Sequence, residues 1–393
     1  MQKHDRSLHL LRDTFLQAED CDVADLAALC EVATDPENYP LAAKVEKGVL
    51  VYDCPQLLPR IQDPAFADSL MAEWADVFQN GPGVLVLQGA EPDLAMIDRA
   101  SDIFRDLIDA QNRAGTGGGD HFAKPGANDR LWNSLEKHCL ADPANFARYY
   151  ANPFLALVSQ SWLGPYYQMT AQLNVVNPGG AAQSPHRDYH LGFQSAEAVA
   201  RYPAHVHLFS PMLTLQGAIA HVDASIESGP TLLLPNSQKY PAGYLATARP
   251  EFRAFFDAHA VQLPLKKGDM LFFSPALFHA AGTNRTTDVK RMVNLFQVSS
   301  AYGRAMESID RTAMCKALYP ALLASDLTDA QTAHAIAATA EGYSFPTNLD
   351  RDPPIGGLAP KSQAALLHEA LAARWPPDQL NKALDTQAAK RRP

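Results

Sequence analysis

The sequence predicts a mainly β core flanked by helical segments, and three observations lead to this fold class. Between residues 166 and 300, short runs rich in branched and aromatic residues recur, such as YYQMTAQLNVV, TLLLPN, DMLFFS and VNLFQVS. Turns rich in Gly, Pro and Asn separate these runs, which is typical of a sandwich, a barrel or a jelly roll. Apolar residues at helical spacing dominate both ends of the chain instead.

The N-terminal part, residues 1–75, is predicted to be mostly helical. DVADLAALCEVA and DPAFADSLMAEWADVFQ both have apolar residues at helical spacing, with acidic residues near the start of the first. NGPGVLVLQG then combines a turn signal with a short β-rich run, as expected of a sheet strand. TGGGDHFAKPGANDR lacks the spacing of a phosphate loop, so we interpret it as a mobile loop and a candidate lid.

The remaining elements follow the same two patterns. HVHLFSPMLTLQGAIAHV and VQLPL are further predicted strands, and EFRAFFDAHA is a helical interruption of the β region. RTAMCKALYPALLAS, DAQTAHAIAATA and KSQAALLHEALAARW predict helices after residue 305. We therefore expect one domain over residues 1–393, with a helical extension at 1–75, a β core at 76–305 and a second helical extension at 306–393.

Composition and charge exclude several classes of protein. The 393 residues are 47% hydrophobic and 19% charged, which is globular composition with length enough for a sizeable core. A net charge of -10 without a basic stripe argues against nucleic acid as a partner, and KRRP at the end is interpreted as a solvated tail. We expect no signal peptide and no membrane span. Five widely spaced cysteines without a C-x-x-C pair suit a reducing compartment, so a cytoplasmic protein is expected.

The stretch SPHRDYHLGF carries the first candidate functional residues. On an extended segment His186 and Asp188 face one side and Arg187 the other. H-x-D alone is a weak signal, but His279 follows Asp188 by 91 positions, after a G-D turn, a strand and a Pro-containing corner. Two histidines and one carboxylate in this arrangement match the facial triad of non-haem Fe(II) sites, which leaves three coordination positions open.

A cation follows the second histidine by about a dozen positions. Arg291 begins a predicted strand, and a guanidinium there could hold the far carboxylate of a 2-oxo acid that chelates the iron.

With these motifs the chain resembles the phytanoyl-CoA dioxygenase (PhyH-like) family of Fe(II)/2-oxoglutarate-dependent oxygenases. The resembling segments are SPHRDYH, HVDASIESGPTLLLPNSQKY and GDMLFFSPALFHAAGTNRTTDVKRMV, within residues 80–305. Asn236 and Gln238 stand where the family usually has Gly and His. The resemblance implies a double-stranded β-helix, which is a cupin-like jelly roll, wrapped by helices from both ends.

The resemblance also implies roles for individual residues. His186, Asp188 and His279 would bind Fe(II), and Arg291 would pair with the C5 carboxylate of 2-oxoglutarate. The spacing from His279 to Arg291 is one residue longer than the family leads us to expect, so we place a small insertion in TNRTTDVK; Arg285 is the competitor, but it falls at a turn position. The amides expected near the cosubstrate are Gln172, Asn174 and Gln216.

Other residues have weaker assignments. His190 and Tyr189 are candidates for the substrate pocket, although His190 is equally compatible with a turn exposed to solvent. His205 and His207 form an H-x-H pair, but a cupin metal site would need a Glu shortly afterwards, so we interpret them as ordinary strand residues. Asp223 and Gly229 are expected to shape a turn between core strands.

The predicted function is an Fe(II)/2-oxoglutarate-dependent dioxygenase that uses O2 to hydroxylate a small molecule, with release of succinate and CO2. The carboxylate at Asp188 favours hydroxylation, because related halogenases have a small residue there. Two alternatives stay open, a catalytically silent ligand-binding relative of the same fold and a peptide or protein hydroxylase. The sequence marks no CoA-binding surface and does not identify the substrate or the oligomeric state.

Overall fold

A computed structural model describes residues 13–115 and 127–392 of the chain. The described helices, numbered in chain order, are α1 Val23–Cys30, α2 Cys54–Leu57, α3 Pro64–Gln79, α4 Leu94–Arg113, α5 Ser134–Ala141, α6 Pro143–Tyr150, α7 Pro153–Leu163, α8 Ala196–Val199, α9 Ala204–Met212, α10 Gly243–Ala246, α11 Pro250–His259, α12 Arg311–Ala324, α13 Asp329–Thr339, α14 Gln363–Ala372 and α15 Pro377–Arg391. Most of the Gly-rich run predicted as a loop lies outside the described residues.

Ten strands are described: β1 Lys44–Glu46, β2 Val49–Asp53, β3 Val84–Gln88, β4 Asn128–Leu131, β5 Gln168–Val176, β6 Thr214–Ala220, β7 Leu232–Leu234, β8 Met270–Phe273, β9 Phe278–Ala280 and β10 Arg291–Ser299. Eight of them form a mixed sheet in the order β1-β2-β3-β8-β6-β10-β5-β4, and β7 pairs with β9 in a second sheet. The structure therefore has the predicted sheet-rich core with flanking helices.

The chain divides into two compact units. The described part of the first unit comprises residues 13–90, 127–129 and 174–293, and that of the second comprises residues 91–115, 130–173 and 294–392. In the second unit α12 packs against α5, α6, α13, α14 and α15, while α4 packs against α5 and α6.

Two apolar clusters position the strands of the first unit. One joins Val49 and Val51 of β2, Val84 and Val86 of β3, and Leu271 of β8 to Leu233 of β7, so it fills the space between the two sheets. The other packs the opposite side of the small sheet against α1 and α11 and includes Leu234 and Phe278. Because side chains alternate along a strand, burial of Phe278 on the helix side turns His279 toward the large sheet.

The prediction for residues 1–75 was incomplete. α1 and α3 confirm the predicted helices, but β1 and β2 lie within residues 1–75, where we expected mostly helix. β2 is buried over its first four residues and pairs in parallel with β3, so its VLVYD run has no alternation to distinguish it from a buried helix. The sequence feature that indicates this strand pair is the Lys47-Gly48 turn between β1 and β2, where the two residues adopt φ of 52° and 81°.

The strand prediction for HVHLFSPM was wrong. These residues form α9, which buries His207 and Ser210 and exposes Leu208, Phe209 and Met212. That spacing is helical, and only the following TLQGAIA forms the predicted strand, β6. VQLPL forms no strand; Val261 and Leu265 each make one isolated bridge, and Pro264 between them has no N–H to donate.

The expectations about membrane spans and about the cysteines can be compared with the described residues. None of the helices in residues 13–115 and 127–392 is long and apolar enough to cross a membrane. The five cysteines are all unpaired, and four of them are buried.

Gly217 tests the packing between β6 and β8. It pairs with Phe272 across the sheet, and an added Cβ would lie 2.3 Å from the Phe272 ring. We expect Gly217→Ala to lower the free energy of unfolding by about 1–3 kcal/mol, because the ring must shift within a packed core. Urea denaturation measures the change. Gly357→Ala is the control, since its Cβ would meet only Ala359 O at 3.9 Å; equal effects of the two substitutions would contradict this view of the sheet.

Candidate metal centre

Three side chains of the first unit converge on one point. His186, Asp188 and His279 each offer a ligand atom, and these atoms all lie within 4.8 Å of one another. Within the described part of the chain, these three residues are the His, Cys, Asp or Glu side chains that lie close enough together to hold a metal ion. The predicted triad is therefore brought together, with His279 buried and the side chains of His186 and Asp188 34% and 24% exposed. A ligand can approach from the side of His186 and Asp188.

Backbone pairing brings the two histidines together. His186 and His279 exchange both N–H···O bonds, at 3.0 and 3.2 Å, which makes them directly opposed residues of an antiparallel bridge. Their imidazole rings consequently lie on the same face, with centroids 4.5 Å apart. The Asp188 N–H donates to Pro275 O at 3.2 Å, so a further backbone hydrogen bond holds the H-x-D segment against the residues that precede His279.

Each imidazole is oriented by its own backbone. Nδ1 of His186 lies 2.8 Å from Ser184 O, and Nδ1 of His279 lies 2.8 Å from Leu277 O. Since a carbonyl oxygen only accepts, Nδ1 carries the proton in both rings and Nε2 keeps its lone pair. Such a contact is the usual support of a metal-binding histidine.

Asp188 completes the group as its one carboxylate. Its Oδ2 lies 3.4 Å from His279 Nε2, and its Oδ1 lies 3.8 Å from His186 Nε2. Burial alone would raise the pKa of Asp188, but the contacts with His279 and His186 and the hydrogen bond from Gln216 together hold it well below its usual range. The carboxylate is therefore ionised at neutral pH, as a metal ligand must be.

Gln216 has a clearer role than the sequence suggested. Its Nε2 donates to Asp188 Oδ2, so this amide on β6 fixes the orientation of the carboxylate. Its Oε1 is buried and has no hydrogen-bond partner among the described residues. The sequence placed Gln216 near the cosubstrate; the contact with Asp188 is between distant parts of the chain, and no local pattern signals it.

The chain turns sharply after Asp188. Tyr189 and His190 adopt φ of 63° and 40°, and residues His190–Phe193 form a 3-10 turn, so the segment does not continue as a strand. His190 is half-buried with Nδ1 3.1 Å from Ser210 Oγ, and burial lowers its pKa. Tyr189 is buried. Their role in a substrate pocket stays a prediction.

Arg291 is a buried cation without an acidic partner in the described part of the chain. Its Nη1 donates to Ser228 O at 3.1 Å and approaches Gly282 O at 3.5 Å. It is 4% exposed, and burial lowers its pKa to about 10. A guanidinium that contacts only two carbonyl oxygens retains donors for an incoming carboxylate.

Asn284 organises the turn between His279 and Arg291, where we expected a small insertion. This fully buried side chain donates to Val176 O at 3.0 Å and Val289 O at 2.8 Å, and its Oδ1 accepts from Thr286. Arg285, the competing cation, is exposed in this turn.

The two amides of β5 differ in their surroundings. Asn174, in the first unit, is buried, and its Oδ1 has no partner among the described residues. Gln172, in the second unit, accepts from Arg130 at 2.5 Å and donates to Gln297 at 3.0 Å. Its amide is thus engaged in that unit's own network, and its proposed contact with 2-oxoglutarate stays a prediction.

The H-x-H pair does not form a metal site. His205 and His207 lie on α9, where residues two apart do not share a face. His207 is buried with Nε2 3.2 Å from Tyr202 O. Asp223 pairs with Lys266 at 2.8 Å, and Gly229 adopts φ of 70°, so both shape turns as expected.

Comparison with known proteins gives a family match over more than half of the chain. The model of the phytanoyl-CoA dioxygenase (PhyH) family matches residues 65–292, which include all three residues of the metal group and Arg291.

Curated relatives match over shorter stretches. The chain is 30% identical over 139 residues to the iron/alpha-ketoglutarate-dependent dioxygenase ausU of Aspergillus calidoustus, covering 35% of this chain and 41% of the relative. It is 28% identical over 146 residues to the dioxygenase cdmD of Talaromyces verruculosus, covering 37% and 43%. The matches thus span less than half the length of these relatives.

Among solved structures, the chain is similar to the non-heme alpha ketoglutarate dependent epimerase SnoN from nogalamycin biosynthesis. The TM-score is 0.41 at 18% identity, with 61% of this chain and 82% of that chain covered.

Removal of a triad imidazole should abolish metal binding. We expect Mn(II) at 100 times its dissociation constant to stabilise the wild-type chain by about 2.7 kcal/mol, and His279→Ala to lose this stabilisation. Thermal unfolding with and without Mn(II) measures it. His205→Ala is the matched control and should keep the full effect; loss of the effect in His205→Ala with retention in His279→Ala would move the site to α9.

Proposed function

The chain belongs to the phytanoyl-CoA dioxygenase family, and from this premise we propose that it is an Fe(II)- and 2-oxoglutarate-dependent dioxygenase that hydroxylates a small molecule. The observation that carries the proposal is the convergence of His186, Asp188 and His279 within 4.8 Å. Two imidazoles and one carboxylate are the ligand set of Fe(II) sites with open positions for a cosubstrate and dioxygen.

In this proposal the protein supplies geometry and charge at the metal. His186 and His279 bind through Nε2, because Nδ1 of each ring is held by a carbonyl. Asp188 binds as an ionised carboxylate, and Gln216 fixes its orientation. When bound, Fe(II) with 2-oxoglutarate supplies oxygen activation, coupled to decarboxylation of 2-oxoglutarate to succinate and CO2.

Arg291 is proposed to hold the C5 carboxylate of 2-oxoglutarate. With a pKa of about 10 it remains cationic at neutral pH, and it lies beside Gly282, three residues after His279. A carboxylate that enters this buried place gains a charge-assisted hydrogen bond and relieves an uncompensated cation. Asn174 is a proposed second contact; since 2-oxoglutarate brings only acceptors, the amide N–H would donate to it.

We further propose that the first unit contains the double-stranded β-helix of this family. The support is the pair of sheets with an apolar cluster between them, and the extension of the small sheet on both sides. Val261 bridges to β7 and His186 bridges to β9, which gives four segments opposite the large sheet. Inclusion of the whole chain, residues 1–393, in one oxygenase domain is part of this proposal.

Two alternatives are less well supported. A catalytically silent binding protein would not need an ionised carboxylate, two oriented imidazoles and a buried Arg291 together. A peptide or protein hydroxylase would use the same centre, so only substrate tests separate it from the small-molecule enzyme. The dioxygenase names of the curated relatives agree with either oxygenase.

The metal centre has a spectroscopic test that needs no substrate. Anaerobic addition of Fe(II) and 2-oxoglutarate should give a weak visible charge-transfer band, because the cosubstrate chelates the metal. The band should be absent in His279→Ala and retained in His205→Ala. Absence of the band in the wild-type chain, together with no succinate formation across candidate small molecules and peptides, would refute the proposed function.

Arg291 and Arg285 provide a matched pair for the cosubstrate site. We expect Arg291→Met to raise the 2-oxoglutarate concentration at half-maximal band intensity about 10- to 100-fold, since a hydrogen bond between charged groups contributes about 1.5–3 kcal/mol. Arg285→Met should leave it unchanged, because that side chain is exposed in a turn. Titration with 2-oxoglutarate measures both, and the opposite pattern would assign the anchor to Arg285.

A further inference from the structure

Arg187 is the residue between the two ligands of the H-x-D segment, and the proposed mechanism gives it no part. It is 3% exposed and makes no ion pair with a carboxylate among the described residues. A buried cation in such a place is costly unless its surroundings compensate it. Other contacts must therefore compensate the charge of Arg187.

The guanidinium of Arg187 is held by carbonyl oxygens and aromatic rings. Nη2 donates to Ser237 O at 2.7 Å and to Tyr240 O at 2.8 Å. The guanidinium carbon lies 5.1 Å from the ring centroids of both Tyr244 and Phe278, within the range of cation–π contacts. Arg187 thus points away from the metal group and into the apolar cluster behind the small sheet.

These contacts connect the two ligand-bearing segments. Ser237 accepts from Arg187 through its carbonyl, and its Oγ accepts from the Phe278 N–H at 2.8 Å. Phe278 immediately precedes His279, and Arg187 immediately follows His186. One buried arginine and one serine therefore tie both histidine segments to the same turn, independently of the bridge between the histidines.

The space for the guanidinium depends on the absence of a side chain at Gly243. A Cβ there would lie 1.9 Å from Arg187 Cζ and 2.3 Å from each terminal nitrogen. Gly243 begins α10 and is not in the left-handed region, so alanine is compatible with its backbone. Substitution would displace Arg187 without removing it.

We propose that Arg187 is a positioning residue of the metal centre, which fixes the separation and orientation of His186, Asp188 and His279 by anchoring the H-x-D segment to the Ser237–Tyr240 turn. The inference rests on the proposed function, since it concerns the same metal site. Arg187 touches neither metal nor substrate and acts through the backbone of the ligands on either side of it. A buried cation is a poor source of stability compared with an apolar side chain, whereas its hydrogen bonds to two carbonyls are directional.

Co(II) alone is the probe, titrated anaerobically into the full-length chain and followed by its visible d–d bands. We expect Arg187→Met and Gly243→Ala to weaken Co(II) binding about 10- to 100-fold, the effect typical of losing a residue that orients metal ligands. The shape of the d–d spectrum at saturating Co(II) should also change, because the ligands are rearranged. Arg187→Lys should restore part of the affinity. Gly357→Ala is the control and should match the wild type in both readouts.

A double-mutant cycle separates positioning from general damage. If Gly243→Ala acts by displacing the guanidinium, it should have little further effect on Co(II) affinity in the Arg187→Met background. Circular dichroism and thermal unfolding show whether each variant is folded; if Arg187→Met is unfolded, Gly243→Ala and Arg187→Lys decide the question.

The outcomes distinguish this inference from the proposed function. Wild-type affinity and an unchanged spectrum in folded Gly243→Ala would overturn the role of Arg187 while the metal centre stands. Additive effects in the cycle would also overturn it. Failure of the wild-type chain itself to bind Co(II) would instead refute the proposed function.

Discussion

The bridge between His186 and His279 is the constraint on which the candidate site depends. The two residues exchange both backbone hydrogen bonds, so their side chains must lie on one face at the separation of a directly opposed pair. The face is set by packing, because Phe278 and Ala280 fill the apolar cluster next to α11 and leave His279 on the other side. A shift of the H-x-D segment by one residue would turn His186 and Asp188 away from His279 and place Arg187 opposite it.

The ligand set could be predicted from sequence because it depends on local rules. Alternation put His186 and Asp188 on one side, and the G-D turn, strand and corner before His279 predicted the second segment. The segment needed to be extended only over three residues, and it forms a single bridge before Tyr189 turns the chain. His190 shows the limit of the rule, since alternation applies only to an extended segment and the chain turns at Tyr189.

Contacts between distant segments explain most of what the sequence left undetermined. Gln216 reaches Asp188 from β6, and Arg187 reaches Ser237 from the H-x-D segment, and neither pair has a characteristic spacing. The exposed face of α9 shows a different difficulty. Leu208, Phe209 and Met212 are apolar yet exposed, so the composition of the segment indicated a strand. The helical pattern becomes evident only from the buried residues His207 and Ser210, which are three positions apart.

The electrostatics of the site account for its otherwise unfavourable buried groups. Arg291 is a cation without an acidic partner among the described residues, and Asp188 is the single carboxylate of the triad. In the proposed complex, Fe(II) and Arg291 contribute three positive charges, and Asp188 with the two carboxylates of 2-oxoglutarate contributes three negative ones. Each component therefore lowers the cost of burying the others, since charges in a low-dielectric site are stable only when paired. Arg291 without the cosubstrate retains an uncompensated charge, and this imbalance favours a dicarboxylate over a neutral ligand of the same size.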